Sequence, residues 1–174
     1  METKEKVYEA LRLWKDGDKL FQEGSYRASA DAYVNAIRLS EDLPKEEEID
    51  HYGFRASCCA GLSGALGKLG LHDEVLKVAT TALAFFDKVD GLYPAERPKW
   101  LMVLVNKGSA LACLGRPLEA LECFTRAKKM FADNEATIPG NRQWIQQLDQ
   151  NIDSVRRMME QEKAGKKWWN ILWR

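Results

Sequence analysis

GSYRASADAYVNAI, residues 24–37, reads as a turn followed by a helix. Gly24 supplies the left-handed conformation that closes a preceding helix. Ser29, Tyr33 and Ala36 then fall three and four residues apart on one stripe. The same grammar returns twice. Gly70 is followed by Val75, Ala79 and Ala82, and Gly115 by Ala120, Phe124 and Ala127. Each stripe begins five residues after its glycine and keeps the same spacing. A glycine and three packing positions copied three times define an internal repeat.

The segments before these glycines agree. Gly17 and Leu20 precede Gly24, Ser63 and Leu66 precede Gly70, and Gly108 and Leu111 precede Gly115. Each unit is therefore helix, glycine turn, helix. In this the chain resembles the tetratricopeptide repeat (TPR). Gly17, Gly24, Tyr26, Tyr33 and Ala36 carry the resemblance in the first unit, and Gly108, Gly115, Ala120, Phe124 and Ala127 in the third. The second unit is degenerate, with Ser63 and Val75 where the family has glycine and alanine. The resemblance covers roughly residues 10–131 and implies an all-α fold of three TPR-like hairpins stacked as a short solenoid.

The period departs from the family's. Gly17 to Ser63 is 46 residues and Ser63 to Gly108 is 45, against about 34 for the family. The surplus equals about three helical turns per unit, so lengthened helices are expected.

Composition sets the class. The chain has 174 residues with 26 basic and 26 acidic side chains, a net charge of zero. That lacks the basic excess of a nucleic-acid binder. Apolar residues make up 45% and charged residues 30%, a globular profile. No apolar run reaches the roughly 18 residues that a spanning helix needs. The opening segment METKEKVYEALRLW is charged and helical in pattern, without an apolar signal core. Cys58, Cys59, Cys113 and Cys123 lie within helical patterns and are expected as buried free thiols in a reducing, cytoplasmic compartment.

Along the chain, Val7, Leu11, Trp14, Leu20 and Phe21 place a first helix over residues 3–23, and a second runs from about Tyr26 to Leu39 or a little beyond. Pro44 marks a break. One long helix is expected from Lys45 to Leu69, with Glu46, Glu47 and Glu48 in its first turn, and another from His72 to about Asp90. Leu92–Pro98 reads as the longest loop, and the third unit spans Lys99 to about Phe131. The repeats are thus expected at about 3–43, 45–90 and 97–131, within residues 1–135. Trp144, Leu148, Ile152, Val155 and Met159 then form the stripe of a C-terminal capping helix within 136–163. Residues 164–174 are a basic, Trp-rich tail.

No catalytic constellation is present: no Gly-rich phosphate loop, no HExxH, no paired CxxC. The Cys58-Cys59 pair lacks metal-ligand spacing. His51 and His72 lie in different helices, and His72 holds the turn position of Tyr26 and Pro117. No enzyme, cofactor or metal site is expected.

The resemblance implies a binding surface instead. Some TPR domains hold the terminal carboxylate of heat-shock chaperones with Lys, Asn and Arg. Aligned here, those positions are Trp14, Asp18, Gly61, Met102 and Asn106; none matches, and Asp18 would repel a carboxylate. The family's inner groove maps onto Leu11, Trp14, Asp18, Phe21 and Gln22 in the first unit and onto Ser57, Ala60, Gly64, Gly67 and Lys68 in the second. Met102, Val105, Ser109, Ala112 and Cys113 complete it in the third. Such a surface, aromatic at one end and small or adaptable elsewhere, suits a helix or extended peptide of a protein partner. The alternative is that lengthened helices cover these positions.

The tail is the second candidate. Residues 155–174 hold six basic and two acidic side chains, +4 on a neutral chain. Lys166, Lys167, Trp168, Trp169 and Trp173 are its candidate contacts. Three readings stay open: folding back on the repeats, insertion into a protein partner, or a peripheral contact with an anionic membrane interface. The chain is thus expected to be a protein-interaction module: an adaptor, a chaperone-like factor or an assembly subunit. The alternative is a structural subunit whose tail docks on itself or on a membrane interface.

Overall fold

The computed structural model describes residues 3–41, 51–88, 97–133 and 141–172. Among the described residues there are helices only: α1 (Thr3–Gln22), α2 (Tyr26–Glu41), α3 (His51–Lys68), α4 (His72–Phe86), α5 (Arg97–Cys113), α6 (Pro117–Asp133) and α7 (Asn141–Leu172). They pack in successive pairs as a TPR-like all-α solenoid. The chain divides into two units, Met1–Lys107 and Gly108–Arg174.

The three glycine turns are superimposable in their bonding. Gly24, Gly70 and Gly115 have φ of 79°, 72° and 71°. In each, the amide after the glycine donates to a carbonyl five residues back: Ser25 to Leu20 (2.9 Å), Leu71 to Leu66 (3.0 Å), Arg116 to Leu111 (2.9 Å). The glycine amide itself donates three residues back, to Phe21, Gly67 and Ala112. This two-bond closure satisfies carbonyls the helix end would leave orphaned, and it requires a left-handed residue. Gly70→Ala is therefore expected to cost about 1–2 kcal/mol, read as a lower urea midpoint at unchanged slope.

All nine stripe residues are buried: Ser29, Tyr33 and Ala36; Val75, Ala79 and Ala82; Ala120, Phe124 and Ala127. Glycine on the partner helix makes room for the two aromatics. A Cβ on Gly17 would lie 2.8 Å from Tyr33 Cε1, and one on Gly108 would lie 2.7 Å from Phe124 Cε1. Ser29 Oγ donates to the Gly17 carbonyl at 2.8 Å and locks α2 to α1. Gly61 of α3 also faces Tyr33, where a Cβ would enter the ring.

In the second unit Gly108–Arg174, α7 packs on α6 through Leu148, Ile152 and Val155, all buried. Phe131 stacks on Trp144 at 5.8 Å between centroids, and Lys128 Nζ pairs with Asp149 at 2.6 Å.

Several expectations need correction. The helix from His72 ends at Phe86, not near Asp90, and Asp87 and Lys88 form a turn. Pro98 is not in a loop. It is the second residue of α5, where a missing amide proton is tolerated. Of the helix expected from Lys45, the part from His51 is described; residues 45–50, with Pro44 before them, lie outside the described residues, as do residues 92–96 of the expected loop. With 18 and 15 described residues, α3 and α4 make a hairpin close to the family length; the surplus period falls at 42–50 and 87–96, nearly all of it outside the described residues. The change of composition at Ala164-Gly165 is no helix boundary, since α7 runs on to Leu172.

Candidate functional site

The first helices of the hairpins, α1, α3 and the start of α5, share one face of unit Met1–Lys107, and Trp14, Phe21, Gly64, Gly67 and Met102 of the predicted groove lie on these helices. Trp14 is half-buried, with its ring edge-on to Phe54 at 6.4 Å and 72°. Lys99 Nζ lies 5.3 Å from the Trp14 ring centroid and donates to Ser57 Oγ at 3.0 Å. A cation over an indole face is held by the ring quadrupole. One charge thus ties three helices together beside the aromatic.

Two helical turns along α1, Phe21 is also half-buried, edge-on to Tyr26 at 5.4 Å. Gly64 lies beneath it: a Cβ there would be 3.4 Å from Phe21 Cε2 and 3.6 Å from Asn106 Nδ2. Asn106 Nδ2 donates to Ser63 Oγ at 2.9 Å, and Ser63 Oγ donates to the Ala60 carbonyl at 2.7 Å. This relay satisfies a fully buried serine and registers α5 against α3. A Cβ on Gly67 would meet nothing within 4 Å, so the surface is open there.

The remaining predicted residues divide. Leu11 and Val105 are half-buried, and Lys68 and Met102 are exposed, Met102 at 40%. The Asp18 carboxylate accepts the Tyr33 hydroxyl at 2.5 Å, so it caps a core residue from the rim. Burial first, and this bond second, hold the Tyr33 phenol well above its usual range. Ala60 is 1% exposed and belongs to the core rather than to the surface mapped for it. Ser109 belongs to the other unit. There it lines a recess of about 280 Å³ with Ala112, Cys113, Phe124, Val155 and Met158. Of the tail, Lys166, Lys167, Trp168 and Trp169 are in α7, with side chains outside the described residues, and Trp173 lies outside them entirely. His51 is likewise described only as backbone. His72, the first residue of α4, is half-buried.

Phe54, Lys99 and Asn106 are the site residues that sequence reasoning missed in these roles. They act through contacts between helices far apart in the chain, and no spacing within one helix signals them.

The cysteines are all free, and the expectation that all four are buried is corrected at Cys113, which is exposed at the end of α5. Cys58, Cys59 and Cys123 are buried. Burial pushes the Cys58 thiol up to about 12, and Cys59 up to about 11. Neutral thiolate-poor sulfurs are poor nucleophiles. In native protein at pH 8, Cys113 is therefore expected to take iodoacetamide, and the other three to react only on unfolding, as read by intact mass. The same shifts set an alkaline limit. Unfolded thiols ionise near 9, the usual value, whereas the folded ones stay protonated. Their contribution is complete below pH 9 and is lost as pH rises through 11 and 12.

Residues 3–144 match the family described as Domain of Unknown Function (DUF3856). Among solved structures, a TPR-like protein from Chlorobium tepidum TLS is 30% identical at a TM-score of 0.81, covering 89% of this chain and 99% of that one. The C-terminal TPR-containing domain of a Plasmodium falciparum FK506-binding protein shares the fold at 18% identity and a TM-score of 0.61, covering 90% of this chain and 97% of that one. No curated protein matches the chain.

Proposed function

The chain belongs to the DUF3856 family and has a TPR-like fold, and from that premise we propose that it is a protein-interaction module whose α1–α3–α5 face receives a helix or extended peptide of a partner protein. One observation carries the reading. Trp14 and Phe21 stand half-exposed along α1, and the neighbouring α3 is open at the exposed Gly67, one turn past the Gly64 that Phe21 covers, so a second backbone can approach closely beside the aromatic anchors. Met102 adds an adaptable apolar contact and Lys99 a fixed cation. The role is that of an adaptor, chaperone-like factor or assembly subunit rather than an enzyme, acting in the cytoplasm. Four free cysteines, one of them exposed, support a reducing compartment.

The test is a photo-crosslinking residue at Gly67, an exposed position with open space around it. Crosslinked partner should appear there, and should disappear when Trp14→Ala is added. Crosslinks that persist unchanged in the Trp14→Ala protein would remove this face from the reading.

A further inference from the structure

Beyond Met159, α7 leaves the packing that holds its first half: Val155 is buried, whereas Glu160 to Ala164 are exposed. The recess places Met158 of α7 beside Cys113, the last residue of α5. From there α7 continues without interruption to Leu172, about 21 Å at 1.5 Å per residue. Glu160 to Ala164 are exposed without exception. The segment beyond therefore lies past the end of α5, and an unbroken helix cannot turn back into that recess.

The register of this helical extension separates two kinds of position. At 3.6 residues per turn, positions 163, 166, 167 and 170 fall on one arc: Lys163, Lys166, Lys167 and Asn170. Positions 164, 168, 169, 171 and 172 fall on the other: Ala164, Trp168, Trp169, Ile171 and Leu172. Residues 163–174 hold four basic side chains and no acidic one, in a chain of zero net charge. Cationic positions on one arc, with tryptophan and aliphatic positions on the other, are the pattern of a helix lying in the plane of an anionic lipid surface. A protein groove would match the apolar arc alone. The lysine arc has its complement in lipid phosphates, and tryptophan is enriched at the headgroup boundary. No described helix is long and apolar enough to cross a membrane, so the contact is peripheral.

We infer that residues 163–172 of α7 form an interfacial helix that docks the protein reversibly on anionic phospholipid bilayers. The inference stands apart from the α1–α3–α5 face, and its test separates the two. Full-length protein is spun with vesicles of phosphatidylcholine containing about 30% phosphatidylglycerol, and with vesicles of phosphatidylcholine alone. Binding to the anionic vesicles is expected, at least tenfold stronger than to the neutral ones, and weakened severalfold or more by about 0.5 M salt. Trp168→Ala with Trp169→Ala should abolish it, and Lys166→Glu with Lys167→Glu should lower it at least tenfold. Both double variants should keep the native melting temperature and helicity, and Trp14→Ala should bind vesicles normally. Absent binding, equal binding to neutral vesicles, or a melting temperature that falls in the tryptophan variant would overturn the inference. So would a concentration-dependent dimer that those tryptophans hold together in place of vesicle binding, which would assign the helix to a second copy of the chain.

Discussion

Gly61→Ala is expected to destabilise the protein by about 3 kcal/mol or more, while Gly67→Ala, six residues along the same helix, is expected to stabilise it by about 0.5–1 kcal/mol. The opposite signs follow from what an added methyl meets. At Gly61 it enters the Tyr33 ring, at Cζ and the hydroxyl. The ring cannot step aside: it is 1% exposed, Gly17 leaves it no room for even a Cβ, and its hydroxyl is held by Asp18. The alanine must push α3 from α2 or break the Tyr33–Asp18 bond. At Gly67 the methyl meets nothing, and alanine lowers the entropy that the chain loses on forming a helix. Urea unfolding of the two variants, with the midpoints compared at equal slope, measures both. Tyr33→Ala in the Gly61→Ala background checks the mechanism, because the two losses should then fall well short of additive. Equal effects of the two alanines would show that Tyr33 is not wedged as described.

The same wedge explains why the middle repeat looks degenerate. Gly17 and Tyr33 stand sixteen residues apart, as do Gly108 and Phe124. In the second hairpin that pair becomes Ser63 and Ala79, both fully buried. Glycine is needed where the facing helix carries an aromatic. Where it carries alanine, serine fits and its hydroxyl joins the relay to Asn106. The departure from the family pattern is thus an exchange of volume across the hairpin.

The hairpins were legible because their signals are local. A left-handed glycine and a three-and-four stripe are set by residues within a single turn or helix. What stayed hidden depends on contacts between hairpins. Gly61 gave no sign of its role, because its partner Tyr33 belongs to the preceding repeat. Cys113 sits in an apolar stretch and reads as core, yet it is the last residue of α5 and lies at an open recess. Lys99 reads as an ordinary first-turn lysine until α1 brings Trp14 beneath it. The extension of α7 was masked by Ala164-Gly165, a composition break that the backbone does not follow.

Trp14→Ala is expected to weaken partner binding by about 2–3 kcal/mol, roughly thirty- to 150-fold in Kd, the range of an aromatic hot spot. The indole is half-buried before a partner arrives, so one edge is committed to Phe54 and one face to Lys99. A partner that covers the rest would meet a rigid, amphipathic anchor at little entropic cost. Truncation removes that anchor and also releases Lys99 from the ring. Some stability is lost with the Phe54 contact, so the binding measurement needs a companion that leaves the packing alone. Met102→Glu serves, because Met102 is already exposed and lies on the same first-helix face. It should keep the melting temperature and still lower affinity, by placing an unpaired carboxylate against an apolar contact. Isothermal titration of each variant, against a partner identified by the Gly67 crosslink, separates the cases. Loss of affinity in both, with stability lost only in Trp14→Ala, supports a partner lying across α1 and α5. Native affinity in both would mean that this aromatic face is packing for the protein's own helices and that the partner binds elsewhere.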